Sequence, residues 1–237
     1  MKYSPGSKLA AEFLGTAFLL AAVVGSGIMA ERLSQGNTAL ALLANALATG
    51  AALTALILAL GPVSGAHFNP VVTLVEGLLG GTPLRMVPGY ILVQIAGAFS
   101  GVAAAHGMFG LSLFAASRHV RSGGALLFSE VVATLGLLLV IAGCSRHNAA
   151  ATGYAVGAYI TAAYWFTAST SFANPAVTLA RSFTDTFAGI RPADAPRFLL
   201  AQLAAGALAL PLIRWLFFAA APARVTIDAP QQLTKLT

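Results

Sequence analysis

The clearest shortage in this sequence is charge. Asp, Glu, Lys and Arg make up only 8% of its 237 residues, whereas a soluble domain carries about 25%. The mean hydropathy is correspondingly high, at +0.83. These values exclude an ordinary soluble enzyme or binding domain, and they predict a protein that crosses a membrane several times.

Cysteine and acidic residues are also scarce. The single cysteine, Cys144, can form neither an internal disulfide nor a cysteine metal cluster. The net charge of +6 is spread over loops and ends, and no basic stripe is interleaved with aromatic residues as in nucleic-acid-binding proteins. We therefore expect no nucleic-acid partner, no metal, no cofactor and no enzymatic activity.

Long apolar runs take the place of the missing charge. Six runs are about 20 residues long, enough to cross a bilayer, and they lie at about 9–30, 38–60, 83–106, 125–144, 151–168 and 195–219. Two shorter runs, at about 69–80 and 174–187, cover roughly half a membrane. The sequence predicts an all-α integral membrane protein with six transmembrane helices and two re-entrant half-helices.

Each half-helix opens with an Asn-Pro motif, Asn69-Pro70-Val71 in the first and Asn174-Pro175-Ala176 in the second. Asn caps the free N–H groups of a helix start, and Pro fits the first helical position. Each helix N-terminus also carries about half a positive charge. Two such ends at one place predict a pore midplane that offers amide donors to neutral solutes and repels cations. The alternative is ordinary capping of two core helices.

The two halves of the sequence match in order and in their polar positions. Glu12 and Glu130 lie on the first span of each half, and Gln94 and Gln202 on the last. Three spans is an odd number, so the second half enters the membrane inverted. Irregular backbone at membrane depth must be buried or line a cavity. We expect one channel domain over 1–237, with repeats at about 8–110 and 125–220 and a disordered tail at 222–237.

The segments SGAHFNPVVT and SFANPAVTLARSF, with Glu12 and Glu130 in inverted halves, resemble the aquaporin (major intrinsic protein) family over residues 8–220. The resemblance implies one pore per protomer, a homotetramer and a place in the cell (inner) membrane with cytoplasmic termini. It also implies that Glu12 and Glu130 brace the re-entrant loops, with Gln94 and Gln202 in support. A proton relay through the two acids is the alternative.

The sequence departs from the family where the outer constriction is expected. Most members carry Arg three residues after the second Asn, and this chain has Val177 there. The family's spacing places the four constriction positions at Thr49, Ala162, Ser171 and Val177. This ring would be small and weakly polar, without Arg or a large aromatic, and wider than in a water-selective member. The alternative is that Val177 only packs and another group, for which Arg181 is the natural candidate, fills the gap.

Two further residues are candidates for the pore mouths. Arg181 lies four residues after Val177 and shares its helix face. It could reach back to the constriction or line the outer vestibule, or its side chain could extend to the membrane interface. His67, beside Asn69, could contact the inner pore or brace the loop.

Within the family, the sequence looks closest to bacterial aquaglyceroporins associated with arsenic resistance. That resemblance implies a passive channel for small uncharged solutes such as glycerol, water, arsenite and methylated arsenicals. A water-selective aquaporin is one alternative. An ion-coupled transporter is another, because transporters also use inverted repeats and broken helices. A non-conducting membrane protein would leave the paired Asn donors unexplained.

Overall fold

The structure is a computed structural model that describes residues 3–218, and the regular structure in this range is helical. Its α-helices are α1 (Pro5–Leu33), α2 (Thr38–Ser64), α3 (Pro70–Leu79), α4 (Val87–Met108), α5 (Gly124–His147), α6 (Thr152–Phe166), α7 (Pro175–Arg181) and α8 (Ala195–Phe218). The predicted all-α membrane fold is confirmed. The tail expected to be disordered, 222–237, lies outside the described residues.

Five of these helices, α1, α2, α4, α5 and α8, are long and apolar enough to cross a membrane. The remaining predicted span, at about 151–168, is the shorter helix α6, whose 15 residues cover about 22 Å. A 3₁₀ turn at Ala149–Ala151 precedes it. The helix ends at Phe166 because Thr167 adopts an extended conformation, and its hydroxyl donates to the Ala163 carbonyl. The chain then turns into the loop before α7.

The helices pack in two matching sets that interlock. In the first half α1 packs against α2 and α4, and in the second α5 packs against α6 and α8. The α2–α6 contact joins the halves at the centre. Both half-helices cross over, since α3 packs against α8 as well as α4, and α7 packs against α4 as well as α8. Each half therefore completes the packing of the other.

Small residues set the spacing between α1 and α4. A methyl group on Gly97 would meet the Phe13 carbonyl, and one on Gly101 would meet the Ala17 carbonyl. The two glycines are four residues apart and share a helix face. The backbones consequently approach as closely as small residues allow in membrane helices.

The half-helices differ in length. Helix α3 ends within one residue of its predicted boundary, at Leu79. Helix α7 has only seven residues, so the prediction of a half-helix to about residue 187 is wrong. The helix stops because the carbonyls of Ser182 and Phe183 accept hydrogen bonds from the Ser117 and Ala115 N–H groups of the loop before α5. These bonds replace the continuation of the helix.

Candidate functional site

Both Asn-Pro motifs start their half-helices by capping. The Asn69 carboxamide oxygen accepts from the Val71 N–H at 3.0 Å. The Asn174 oxygen accepts from the N–H groups of Ala176 at 3.0 Å and Val177 at 3.3 Å. Pro70 and Pro175 occupy the first helical positions, where a missing N–H costs no hydrogen bond.

The two amides also tie the halves together. Asn69 Nδ2 donates to the Ala173 carbonyl at 2.8 Å, and Asn174 Nδ2 donates to the Phe68 carbonyl at 2.7 Å. An amide nitrogen carries two N–H donors, so one donor of each Asn joins the halves and one remains for the lumen. Nothing in the sequence indicates these cross-links, because they depend on where the backbone of the opposite half passes.

Glu12 holds the first re-entrant loop through four donors. Its Oε1 accepts from the Ser64 hydroxyl at 2.6 Å and the His67 N–H at 3.0 Å. Its Oε2 accepts from the Phe68 N–H at 2.7 Å and Gln94 Nε2 at 2.8 Å. The carboxylate is fully buried, and these bonds satisfy both of its oxygens.

Glu130 repeats the arrangement with three donors. It accepts from the Phe172 and Ala173 N–H groups at 2.9 and 2.8 Å, and from Gln202 Nε2 at 2.7 Å. Gln202 also donates to the Thr178 hydroxyl at 2.9 Å, as Gln94 does to that of Thr73. Both glutamates lie behind the loops and outside the cavity wall.

The loop backbone takes the left-handed conformation at matching positions of the two halves. Ala66 and Phe68 have φ of 50° and 49°, and Ser171 and Ala173 have φ of 51° and 47°. Such a conformation costs about 1–3 kcal/mol for a residue other than Gly. The Glu12 and Glu130 bonds to these segments offset that cost and fix the direction of the loop carbonyls.

A cavity of about 680 Å³ lies between the halves. Lys8 and Glu76 line one end, Asn69 and Asn174 line its middle, and Arg181 lines the other end. Both Asn side chains, which also cross-link the halves, are therefore part of the lumen wall.

Three of the four predicted constriction residues line this cavity: Thr49, Ser171 and Val177. Ala162 does not, because its side chain is exposed on the outside of α6. Tyr164 lines the cavity instead, and its hydroxyl donates to the Thr49 hydroxyl at 3.3 Å. Two residues turn about 200° around a helix, so a helix that points Ala162 outward points Tyr164 inward.

Arg181 is buried in the cavity wall, with 2% of its surface exposed. Its Nε donates to the Ala188 carbonyl, and its guanidinium carbon lies 3.5 Å from the Phe172 ring centroid. The interpretation of a side chain that extends to the membrane interface is therefore wrong. Arg181 and Tyr164 bring an Arg and a large aromatic to the wall of the cavity that Thr49, Ser171 and Val177 also line.

His67 both lines the cavity and contacts its own loop. Its Nδ1 lies 3.1 Å from the Thr73 hydroxyl, and its ring meets that of Tyr90 edge-on at 5.5 Å. Phe172 holds the matching place in the second half, and it meets Phe198 edge-on at 5.3 Å. The structure thus combines the two predicted placements of His67.

Arg121, in the loop before α5, is a functional candidate that sequence reasoning missed. Its Nε donates to the Gly189 carbonyl at 2.8 Å and its Nη1 to the Ser169 carbonyl at 3.3 Å. Burial lowers the pKa of Arg121, and the nearby Tyr164 and Glu130 partly oppose this. No sequence signal marked it, because a basic loop residue is most often solvated.

The residues from 3 to 218 contain no cluster of three His, Cys, Asp or Glu side chains that could hold a metal ion. The cavity wall combines amide, hydroxyl and guanidinium donors with apolar side chains, and Lys8, Glu76 and His67 add ionisable groups to it.

Comparison with known proteins agrees with this geometry. Residues 2–153 match the family model described as Major intrinsic protein. Aquaglyceroporin AqpS of Rhizobium meliloti is 55% identical over 212 residues, which cover 90% of this chain and 91% of that protein. A probable glycerol uptake facilitator protein of Thermotoga maritima is 32% identical over 155 residues, covering 59% of this chain and 65% of that protein.

A solved structure is similar as well. The X-ray structure of the aquaglyceroporin from Plasmodium falciparum aligns with a TM-score of 0.66 at 22% identity, and covers 90% of this chain and 95% of that one. At 22% identity this structural similarity supports the fold alone. The family model and the high identity to AqpS decide the assignment: this chain belongs to the major intrinsic protein family.

Proposed function

We propose that this chain forms a passive channel for small uncharged solutes, namely glycerol, water and metalloid acids such as arsenite and methylated arsenicals. One observation carries the proposal: a single cavity reaches from Glu76 past Asn69 and Asn174 to Arg181. The similarity to a protein named aquaglyceroporin supports glycerol as a solute.

The midplane accounts for passage of neutral solutes. A solute that enters a narrow lumen loses water, and the free amide N–H of Asn69 and of Asn174 replaces part of that hydration. The half-helix N-termini add about half a positive charge each. In a low-dielectric wall this potential opposes cations, while an uncharged hydroxyl compound meets no such barrier.

An ion-coupled transporter fits the site less well. Coupling requires an acid that can exchange a proton or bind an ion near the midplane. Glu12 and Glu130 do not line the cavity, and every one of their carboxylate oxygens accepts a hydrogen bond from the surrounding protein. Carboxylates whose oxygens are all used by loop and helix donors serve as braces.

A water-selective channel is the second candidate, because Tyr164 and Arg181 bring bulk and charge to the cavity wall. Water and glycerol differ in size but share hydroxyl chemistry. The width of the lumen beside Thr49, Ser171 and Val177 therefore decides between a water-selective channel and one that also conducts glycerol. The ratio of glycerol to water permeability measures that width.

We also propose one channel domain per chain, a homotetramer and an inner-membrane location with cytoplasmic termini, in keeping with the resemblance to the family. Exposed aromatic side chains on the outer faces, among them Phe128, Trp165 and Phe166, suit lipid or a neighbouring subunit. Cross-linking in membranes tests the oligomer, and reporter fusions to the termini test their side.

Stopped-flow light scattering on proteoliposomes tests the function. We expect permeability to water, glycerol and arsenite above that of protein-free liposomes made from the same lipid. Permeability to water alone would favour the second candidate. Uptake that depends on a proton or sodium gradient would instead point to the transporter, and permeability equal to that of empty liposomes would contradict the channel.

A further inference from the structure

Arg181 is an unusual side chain for the interior of a membrane protein. It is among the largest fully buried side chains, it lines the cavity, and no salt bridge within the described range 3–218 includes it. A buried charge without a partner is costly. Such a group inside a membrane is by default a candidate for function.

The contacts of Arg181 leave its outer nitrogens free for a solute. A guanidinium carries five N–H donors. Nε is used by the Ala188 carbonyl, whereas Nη1 and Nη2 have no hydrogen-bond acceptor among residues 3–218. Because the side chain is part of the cavity wall, these donors are available to the lumen.

The helix geometry directs the group toward the constriction. Side chains on a helix tilt toward its N-terminus and cover the preceding turn. Arg181 lies on the last turn of α7, four residues after Val177. This tilt directs the guanidinium toward the turn that begins with Val177, and Val177 and Arg181 line the same cavity.

The Arg181 guanidinium stacks on the ring of Phe172, which other contacts hold in place. The Phe172 ring lies 3.5 Å below its central carbon, a geometry that favours a cation. Glu130 accepts from the Phe172 N–H, and Phe198 packs against the ring. Arg121 supports the same region, since its Nε binds the carbonyl of Gly189, next to the Ala188 that holds Arg181.

We infer that Arg181 supplies the fixed guanidinium of the outer constriction in this chain. The last turn of α7 contributes this group, while Val177 on the first turn contributes only apolar surface. The two outer nitrogens donate to a solute oxygen, and the charge repels cations. The inference rests on the proposed channel function.

Charge removal is the primary test. Arg181→Met keeps a long unbranched side chain without the charge, and Arg181→Lys keeps the charge. Arg118→Met is the matched control, because Arg118 is 90% exposed at the outer surface. We expect Arg181→Met to raise the proton leak of proteoliposomes about tenfold, the effect of lowering the barrier by 1.4 kcal/mol. The Lys variant and the control should stay at the wild-type level.

The outcomes separate the two proposals. If wild-type protein conducts neither water nor glycerol, the channel function itself fails. If wild type conducts and Arg181→Met leaves both the proton leak and the solute permeabilities unchanged, only the role of Arg181 fails.

A cysteine substitution covers the case in which Arg181→Met does not fold. Cys144 is the only cysteine, so Arg181→Cys in a Cys144→Ser background carries a single thiol. A methanethiosulfonate reagent with an aminoethyl group should restore a positive charge and suppress the proton leak, whereas a sulfonatoethyl reagent should not. A conducting variant that neither reagent modifies would place residue 181 outside the lumen and overturn the inference.

Discussion

The two half-helices begin alike and end differently. Each starts with an Asn cap, a first-turn Pro and a Thr that receives a hydrogen bond from Gln94 or Gln202. Helix α3 then runs ten residues and ends at Gly80, which has a left-handed conformation. Helix α7 stops after seven residues, and the loop before α5 forms hydrogen bonds with the residues that follow it. In the proposed channel, the shared starts form the midplane and the different ends form the two mouths.

The contrast is sharpest at one matching position. Glu76 lies seven residues after Asn69, and Arg181 lies seven residues after Asn174. Both side chains line the cavity, at opposite ends. The matching position therefore carries an acid in α3 and a base in α7, and Lys8 adds a positive group at the end that Glu76 lines. In the proposed channel the shared starts serve passage itself, and the unmatched residues give the two ends different side chains.

The largest expected effect concerns the braces. Glu12→Ala and Glu130→Ala each leave buried donors unpaired, at about 1–3 kcal/mol per group. Glu12 serves four donors and Glu130 three. Both variants should unfold at lower temperature in detergent than wild type, and Glu12→Ala should be the less stable of the two. Equal stability to wild type in either variant would refute bracing.

A second expected effect concerns the close packing of Gly15 of α1 against the Phe68 ring of the first loop. A methyl group on Gly15 would overlap the Phe68 ring, whereas the second half has Ala133 and Ala173 at the same positions. Gly15→Ala should destabilise the fold by about 1–3 kcal/mol through overpacking.

The double variant Gly15→Ala, Phe68→Ala copies the second half and should recover part of that loss. Thermal unfolding of both variants in the same detergent measures the difference. A double variant less stable than Gly15→Ala alone would show that the halves are not interchangeable here.

Val177→Arg places a second guanidinium on α7, one helical turn before that of Arg181. The new side chain narrows the lumen, and its like charge four residues from Arg181 opposes close approach. Glycerol and arsenite permeability should fall strongly, while water permeability should fall less. Measurements need equal protein density in the same lipid. A proportional fall for all three solutes would mean that Val177 does not face the constriction.

The smallest expected effect concerns the exposed salt bridge between Arg118 and Asp185. Arg118 donates to Asp185 through its backbone N–H and its Nε, and these bonds lower the pKa of Asp185. A lowered pKa contributes stability above the unfolded value, near pH 4, and the contribution is lost as pH falls through the folded value. Asp185→Asn should thus cost less than about 1 kcal/mol at neutral pH. Thermal unfolding at pH 7 and below pH 4 checks both statements, and a larger loss at the lower pH would contradict them.

The parts of this molecule that were predictable are those with local chemistry. Asn-Pro caps and span lengths follow from neighbouring residues alone, and the fold class followed from them. The expected cavity position of Ala162 depends on a spacing that runs across a loop, and a shift of two residues turns a helix face away from the cavity, which Tyr164 lines instead. The placement of Arg181 depends on Ala188 and Phe172, which tertiary folding brings to it.

The reciprocal Asn69 and Asn174 bonds have a consequence for biogenesis. Asn69 and its acceptor, Ala173, are 104 residues apart, which at 5–20 residues per second means that the ribosome makes the second half about 5–20 s after the first. Throughout that interval the Asn69 amide and the Phe68 carbonyl lack their partners within the bilayer. The nascent first half is consequently an incomplete intermediate, and a chain arrested midway would present these polar groups to whatever machinery inserts it.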